Sequence, residues 1–600
     1  MKFNRRTALS LLGLTAAAPL HAATKNKPGA GVPVFFEHGV ASGDPLTDRV
    51  VLWTRATIKT KAPFPVSLTW EIANDAAFKS IAAHGATHTD GERDYTVKVD
   101  ATGLKPGRDY FYRFHSGASV SPVGRTKTLP EGATDKIVLA FVTCSLYPAG
   151  YFNAYDHIAK LERIDAVVEL GDYYYEYGAG DGDYGMETGQ KLGRIPEPPH
   201  NIITLADYRT RHALYKRDPD LQAAHARAPW ICVWDDHETA NDSWAGGAEH
   251  HDPKTEGPWI DRERAALRAY YEWMPIREPE HGRAFEAINR SFPFGDLATL
   301  IMVETRLVAR SYQLEYSRPA DIPWAVYDSR DPATRQRITD RDTIANVFAA
   351  VKDVGKPPAP YMVGPDPEKL KAVVADTERQ MLGARQEEWL KLEVAKSVAS
   401  GQPWQIFGNQ VVMARTRAPD IRKAMGAEKW NALLAKVTPH QRAQAEQVGD
   451  LYSFDIPYDL DGWDGYPAAR ERMYEAIKAS NSNAVIVSGD SHAFWVNQLY
   501  DDAGATRVAA EFGTSSVTSP SLGDYFPGLD VGKVFMDANH EVLFCDQNHK
   551  GYTVLTIARD QVAGELVAVQ TMVKPYTSQT LARFTVAPTL GPGVGEITKA

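Results

Sequence analysis

Six short apolar runs in this chain each stop on a residue that can bind a proton, a metal or an anion. KIVLAFVTC ends at Cys144, DAVVELGD at Asp172 and PWICVWDD at Asp236; ATLIMVETR ends at Arg306, WQIFGNQ at Gln410 and NAVIVSGDSH at His492. Strands that are buried on both faces read as continuous apolar runs, and the segments between these runs carry helical periodicity. Residues 383–399, for example, place Trp389, Leu392 and Ala395 on one helical face, while residues 468–480 do the same with Ala469, Met473 and Ile477. The pattern predicts an α/β sheet. Ligands of open α/β sheets bind beyond the carboxyl ends of the strands, so the six polar endings are expected to meet at one site.

The chain before this region reads differently. From residue 35 to 130 the runs are short and alternating, as in VSLTWEIA from Val66 and YFYRFHS from Tyr110, with turn residues between them. This predicts an antiparallel β-sandwich, and GLKPGRDYFYRF resembles the turn and tyrosine corner of immunoglobulin-like or fibronectin-like domains. A chain of 600 residues exceeds one hydrophobic core, so a second unit is no surprise. Residues 317–369 and 415–458 read as insertions on the rim of the second unit, placed to act as lids.

Met1 to Ala23 read as an address. Arg5 and Arg6 precede a short apolar run and then small residues, the n-, h- and cleavage regions of an export signal, and the arginine pair resembles a twin-arginine signal. Cleavage is expected near Ala22 or Ala23, giving a periplasmic or secreted bacterial protein. No later run approaches the roughly 20 apolar residues of a membrane helix. A net charge of −10 excludes a general nucleic-acid binder, so any phosphate chemistry must use local positive charge. Three cysteines cannot form a disulfide framework.

The endings themselves carry the chemistry. Asp172 at a strand end, with Tyr175 three residues on, can place a carboxylate and a phenolate on one ion. Phenolate is a good ligand for Fe³⁺, whose charge depresses the phenol pKa. Cys144, past the end of the preceding run, adds a thiolate that excludes a purely magnesium or calcium site; Cys232, inside WICVW, reads as a buried hydrophobe. Asp235, Asp236, His237 and Glu238, with Asn241 close behind, would be costly to cluster unless they served a cation. Asp490 and His492 offer a carboxylate and an imidazole at another ending, and Asn409 in FGNQ supplies a neutral amide at the same rim.

These motifs, together with HGVASGDPLTDRVVLWTR, FVTCS, GDYYYEYG, WDDHETANDSW, LGARQEEWL, WDGYPAAR, SGDSHAFW and EFGTSSVTSPS, resemble the PhoD-like alkaline phosphatase/phosphodiesterase family, a relative of the calcineurin-like and purple acid phosphatases. The resemblance runs from about Phe35 to the C-terminus. It implies an N-terminal domain of residues 35–130 and a catalytic domain of residues 136–590, an α/β sandwich with layered sheets and rim insertions. It implies Fe³⁺ held by Cys144, Asp172, Tyr175 and His492, with Asp172 bridging to Ca²⁺ held by Asp236 and Asp490. Asn241 and Asn409 are weaker candidates for contact with metal or substrate, and His237 would face the phosphoryl group as general acid or hydrogen-bond donor. Hard oxygen at positions 236 and 490 favours Ca²⁺ over Zn²⁺.

The function implied is hydrolysis of phosphate mono- and/or diesters, at neutral to alkaline pH, by attack of a metal-bound hydroxide on phosphorus. Expected partners are a small-molecule phosphate ester and the twin-arginine export machinery, with a monomeric chain and no specific nucleic-acid or membrane partner. Arg209, Arg211 and Arg306 are candidates for a positive rim, though each alone is more often a structural ion pair. Three alternatives stay open: a phospholipase D-like phosphodiesterase, an iron–thiolate/phenolate oxidoreductase, and an exported binding protein that uses the sandwich for adhesion.

Overall fold

The computed structural model describes residues 33–600 apart from 60–64, 181, 183, 331–334, 355 and 438. The expected export signal therefore lies outside the described residues. Among the described residues, two large sheets face each other. One has ten strands, with Lys136–Val142, Ala166–Glu169 and Trp230–Cys232 parallel neighbours at its centre. The other has seven, with Ala298–Met302, Trp404–Gly408, Ala484–Ser488 and Arg507–Gly513 parallel at its centre. The α/β sheet read from the apolar runs is present, in the layered sandwich that the resemblance implied.

Two-sided burial explains those runs. In Ala298–Met302 and the residue after it, Leu300 and Met302 enter the core between the sheets, while Ile301 and Val303 face outward onto a second cluster. In Ala484–Ser488, Val485 and Val487 point inward, and Ala484 and Ile486 outward. The outer cluster is covered by the helices Ala384–Ala399 and Pro467–Ala479, through Leu390, Val394, Met473 and Ile477. Trp389 is only partly buried and Leu392 is exposed, so the buried face of the first helix is rotated from the expected one. With both strand faces dry, alternation disappears from the sequence.

The N-terminal β region packs around its own core of Leu52, Trp70, Ile72, Tyr112 and Phe114, among others. Its strands Val40–Gly43, Arg49–Arg55 and Thr96–Thr102 also continue the ten-stranded sheet, because Val40–Gly43 lies parallel to Trp230–Cys232 through the pair Gly43 and Trp230. A Cβ on Gly43 would lie 2.3 Å from the Pro275 carbonyl oxygen and 2.5 Å from that of Trp230, so only glycine permits this approach. The tyrosine corner is present as read: the Tyr110 hydroxyl accepts the Lys105 backbone N–H at 2.9 Å. Of the expected rim insertions, the strands Trp324–Asp328 and Tyr361–Pro365 pair with each other and share a satellite core with Phe454, Ile456 and Leu460. No helix among the described residues is long and apolar enough to cross a membrane.

Candidate active site

The strand endings converge on the rim where the two sheets meet. Cys144, Asp172 and Asp236 follow three adjacent parallel strands of one sheet, and Asp490 and His492 follow Ala484–Ser488 of the other. Gly171 lets the first group close up, since a Cβ there would sit 2.4 Å from the backbone nitrogen of Asp235. Gly489 does the same between the sheets, where a Cβ would meet Thr143 Oγ1 at 2.6 Å. Cys144, Asp172, Asp490 and His492 all adopt left-handed backbone, with φ of 57°, 55°, 61° and 57°. Such conformations cost about 1–3 kcal/mol each in non-glycine residues and cluster at functional sites.

Three overlapping ligand groups result, each with its donor atoms within 4.8 Å of one another: Cys144, Asp172 and His492; Asp172, Asp236 and His237; Asp235, Asp236 and Asp490. The Tyr175 hydroxyl joins the first, 3.0 Å from Asp172 Oδ2 and 3.1 Å from His492 Nε2. His492 Nδ1 donates to the Pro520 carbonyl at 2.8 Å, which leaves Nε2 as the lone-pair nitrogen facing the group. Burial lowers its pKa to about 4, keeping it neutral.

The set fits cations. Asp172 Oδ1 and Asp235 Oδ2 are buried with no hydrogen-bond partner among the described residues, a costly state unless an ion completes them. Burial, then repulsion from neighbouring anions, pushes Cys144, Tyr175 and Asp490 well above their ordinary pKa values. Burial also pushes Asp172 up, against the pull of His237. A metal ion would reverse these shifts by deprotonating its own ligands. Thiolate, phenolate, carboxylate and imidazole together are the donors expected of a trivalent iron site, and Asp236 with Asp490 those of a hard divalent ion.

Not every acid at the rim is a ligand candidate. Glu238 accepts the backbone N–H groups of Asp172, Tyr173 and Asp235 at 3.0, 2.6 and 2.8 Å, tying two ligand-bearing loops together. Glu304 does similar work for residues 306–308. Asn409 donates to the Val411 carbonyl at 2.5 Å and accepts the Trp463 indole N–H at 3.2 Å, so both ends of its amide have protein partners. Asn241 accepts from the Tyr177 hydroxyl at 3.0 Å and donates to Glu249 at 2.8 Å. Cys232 is buried within its strand, as read.

His237 and His492 lie in the wall of an open cleft of about 700 Å³, alongside Tyr177, Tyr184, Asn241 and His250. His237 Nδ1 is held 2.6 Å from Glu176 Oε2. Burial would lower the His237 pKa, but the carboxylates of Asp236, Glu176 and Asp172 outweigh it and hold the ring protonated well above its usual range. None of the three candidate rim arginines lines the cleft. Arg209 pairs with Glu272 at 2.7 Å; Arg211 is buried on backbone carbonyls, including that of Tyr175; Arg306 has no exposed side-chain surface.

Sequence reasoning missed Glu176 and Ser519. Glu176 lies inside GDYYYEYG, in a turn without periodicity, and its proximity to His237 has no local signature. Ser519, which donates to the Tyr175 hydroxyl at 2.7 Å, was visible only as part of a family motif without a role.

The PhoD-like phosphatase family model matches residues 139–566, and that of the PhoD-like phosphatase N-terminal domain residues 22–130. The chain belongs to the PhoD-like phosphatase family. It is similar to alkaline phosphatase D of Bacillus subtilis (strain 168), with 34% identity over 571 residues that cover 92% of this chain and 80% of that protein. It is also similar to a solved structure described as the structure of PhoD, at a TM-score of 0.71 and 29% identity, covering 95% of this chain and 92% of that one. This PhoD-like chain is thus a phosphatase, an enzyme whose substrate is a phosphoric ester, and the readings as oxidoreductase and as adhesion protein are set aside.

Proposed function

We propose that this enzyme is an exported, metal-dependent phosphatase in which Cys144, Asp172, Tyr175 and His492 hold Fe³⁺, Asp172 bridges, and Asp236 and Asp490 hold Ca²⁺. The observation that carries the reading is Asp172, which belongs to two ligand groups and whose Oδ1 is buried without a partner among the described residues. Bound there, the ions supply Lewis acidity, lowering the pKa of water and offsetting phosphoryl charge. The chain's own residues do the rest. Glu176 accepts the hydrogen bond of His237 Nδ1, fixing the ring and leaving Nε2 as the atom available to substrate. A protonated His237 then donates to the leaving oxygen, or to a phosphoryl oxygen. Tyr177 and Tyr184 wall the cleft with flat surface for the alcohol portion of the ester.

A diesterase emphasis has support of its own. Among the described residues lining the cleft there is no lysine or arginine, while Glu249, Asp252 and Glu256 are present. A singly charged diester suits such walls better than a dianionic monoester or a polyanion. Metal analysis of the purified protein, with rates on p-nitrophenyl phosphate and bis(p-nitrophenyl) phosphate, tests both points. Iron and calcium are expected, with kcat/KM for the diester at least equal to that for the monoester. A zinc-only enzyme would remove the iron assignment.

The phenolate and thiolate give the iron assignment an optical test as well. The native enzyme is expected to be coloured by charge transfer to Fe³⁺, and Tyr175→Phe to shift or bleach the band and weaken iron binding. Export rests on the Arg5–Arg6 pair; replacing both with lysine should leave precursor in the cytoplasm, and normal maturation of that variant would refute it.

A further inference from the structure

One loop stands behind the proposed iron ligands. After the strand Arg507–Gly513, residues 514–521 (TSSVTSPS) run along the loop that carries Cys144. The Val517 backbone N–H donates to the Thr143 carbonyl at 2.9 Å, and those of Thr518 and Ser519 reach the Cys144 carbonyl at 3.4 Å. The Ser515 hydroxyl bridges the carbonyls of His492 and His549 at 3.0 and 2.7 Å, while the Pro520 carbonyl accepts His492 Nδ1 at 2.8 Å. The Ser516 hydroxyl ties the loop to itself, donating to the Ser519 carbonyl at 2.6 Å. Ser519 has no exposed surface, and a buried hydroxyl is costly unless its single proton finds an acceptor.

Two acceptors are within its reach, the Cys144 carbonyl at 3.0 Å and the Tyr175 phenol oxygen at 2.7 Å. That phenol oxygen has two other neighbours, Asp172 Oδ2 at 3.0 Å and His492 Nε2 at 3.1 Å. While the phenol keeps its proton, either can accept it. A phenol that ligates a metal has lost that proton, and then neither neighbour has one to offer. Asp172 as a ligand is a carboxylate, and His492 carries its ring proton on Nδ1, toward Pro520. Among the described residues, Ser519 is the donor that remains. A hydrogen bond to an ionised oxygen is about twice as strong as one to a neutral carbonyl. The Cys144 carbonyl, for its part, keeps two backbone N–H groups.

We propose that Ser519 is a positioning residue for Tyr175: its hydroxyl donates to the ligating phenolate and limits how much charge that oxygen gives the iron. The inference rests on the iron reading above and adds to it a residue outside the ligand set. Hydrogen bonds to ligand atoms tune a metal in this way. Without the hydroxyl, the filled orbital of the phenolate rises toward the empty orbitals of the iron, so charge transfer needs less energy.

The visible band that responds to Tyr175→Phe is the readout. In the iron-loaded full chain, Ser519→Ala should move that band to longer wavelength with iron retained. Thr518→Val removes an equally buried hydroxyl from the same loop, one that donates to the Leu146 carbonyl at 2.8 Å, and should leave the band in place. Loosened packing would move both bands alike, so equal shifts overturn the proposal, as does a Ser519→Ala band that stays put or moves to shorter wavelength. Should Ser519→Ala fail to fold or to hold iron, resonance Raman spectra of the parent decide. The phenolate C–O stretch, excited in the same band, should shift when iron is removed and reloaded in D₂O, because the bonded proton becomes a deuteron; an unshifted stretch overturns the proposal. A colourless parent removes the iron reading itself, and this inference with it.

Discussion

The buried carboxylate of Glu176 holds His237 Nδ1 at 2.6 Å through one oxygen and the Asn241 backbone N–H at 2.8 Å through the other. Both oxygens are committed, so the imidazole is fixed in orientation as well as in charge. Glu176 thus acts through His237 and not on substrate.

Replacing Glu176 by Gln should lower kcat by about 10–100-fold, the usual cost of losing the partner that orients a functional histidine. Removing the negative charge also disfavours the imidazolium, so the His237 pKa falls. The high-pH limb of the kcat profile, where a protonated His237 is lost, should move to lower pH. A rate loss with an unmoved limb would leave Glu176 a purely structural residue.

Asp236 and His237 are neighbours with different proposed work. Asp236→Ala removes a hard oxygen and should lower bound calcium together with activity. His237→Ala should keep the metals and cut the chemical step by about 10²–10⁴-fold, the contribution of a general acid. If the proton goes to the leaving group, the loss should be smaller for an aryl ester than for an alkyl ester. Equal losses favour hydrogen bonding to the phosphoryl oxygens. Loss of metal from His237→Ala alone would reverse the two assignments.

Glu263, buried on the helix Trp259–Trp273, offers a stability test away from the site. Burial, then repulsion from Glu286 and Glu304, raises its pKa from 4.5 to about 7. The folded protein therefore keeps this proton up to about pH 7, while the unfolded chain releases it near pH 4.5. Stability from this group is present at low pH, falls as pH rises between those values, and stays lost above them. Glu263→Gln should melt at a higher temperature than the parent at pH 8, reflecting a stabilisation on the order of 3 kcal/mol, and the gap should close toward pH 4.5. An equal gap at both pH values would place the effect in packing. Melts compared at one scan rate suffice.

Much of this protein follows from its sequence alone. Two-sided burial leaves strands apolar from end to end, so the runs before Cys144, Asp172, Asp236 and His492 were legible without a structure. The strand-end rule then gathered those residues at one rim, because parallel strands of a sheet all point their carboxyl ends the same way. Gly171 and Gly489 permit close approaches to Asp235 and Thr143 that only the packed chain reveals.

What only the tertiary structure decided is which polar ending does which work. Glu238 and Asp236 are two residues apart in the sequence and equally acidic. Glu238 is spent on three backbone N–H groups and joins no ligand group among the described residues. Asp236 accepts the N–H groups of His237 and Asp242, yet also sits in two ligand groups, with Asp172 and with Asp490. Arg306 reads from sequence as a candidate for a positive rim or a structural ion pair, and only its burial against Asp235 and Asp461 decides for the ion pair. The pairing of Glu176 with His237 spans 61 positions. The reason is physical: a side chain's role depends on which donors, charges and how much water surround it, and those neighbours come from distant strands of both sheets. Local sequence sets residue type and strand direction; only the packed chain sets the partner.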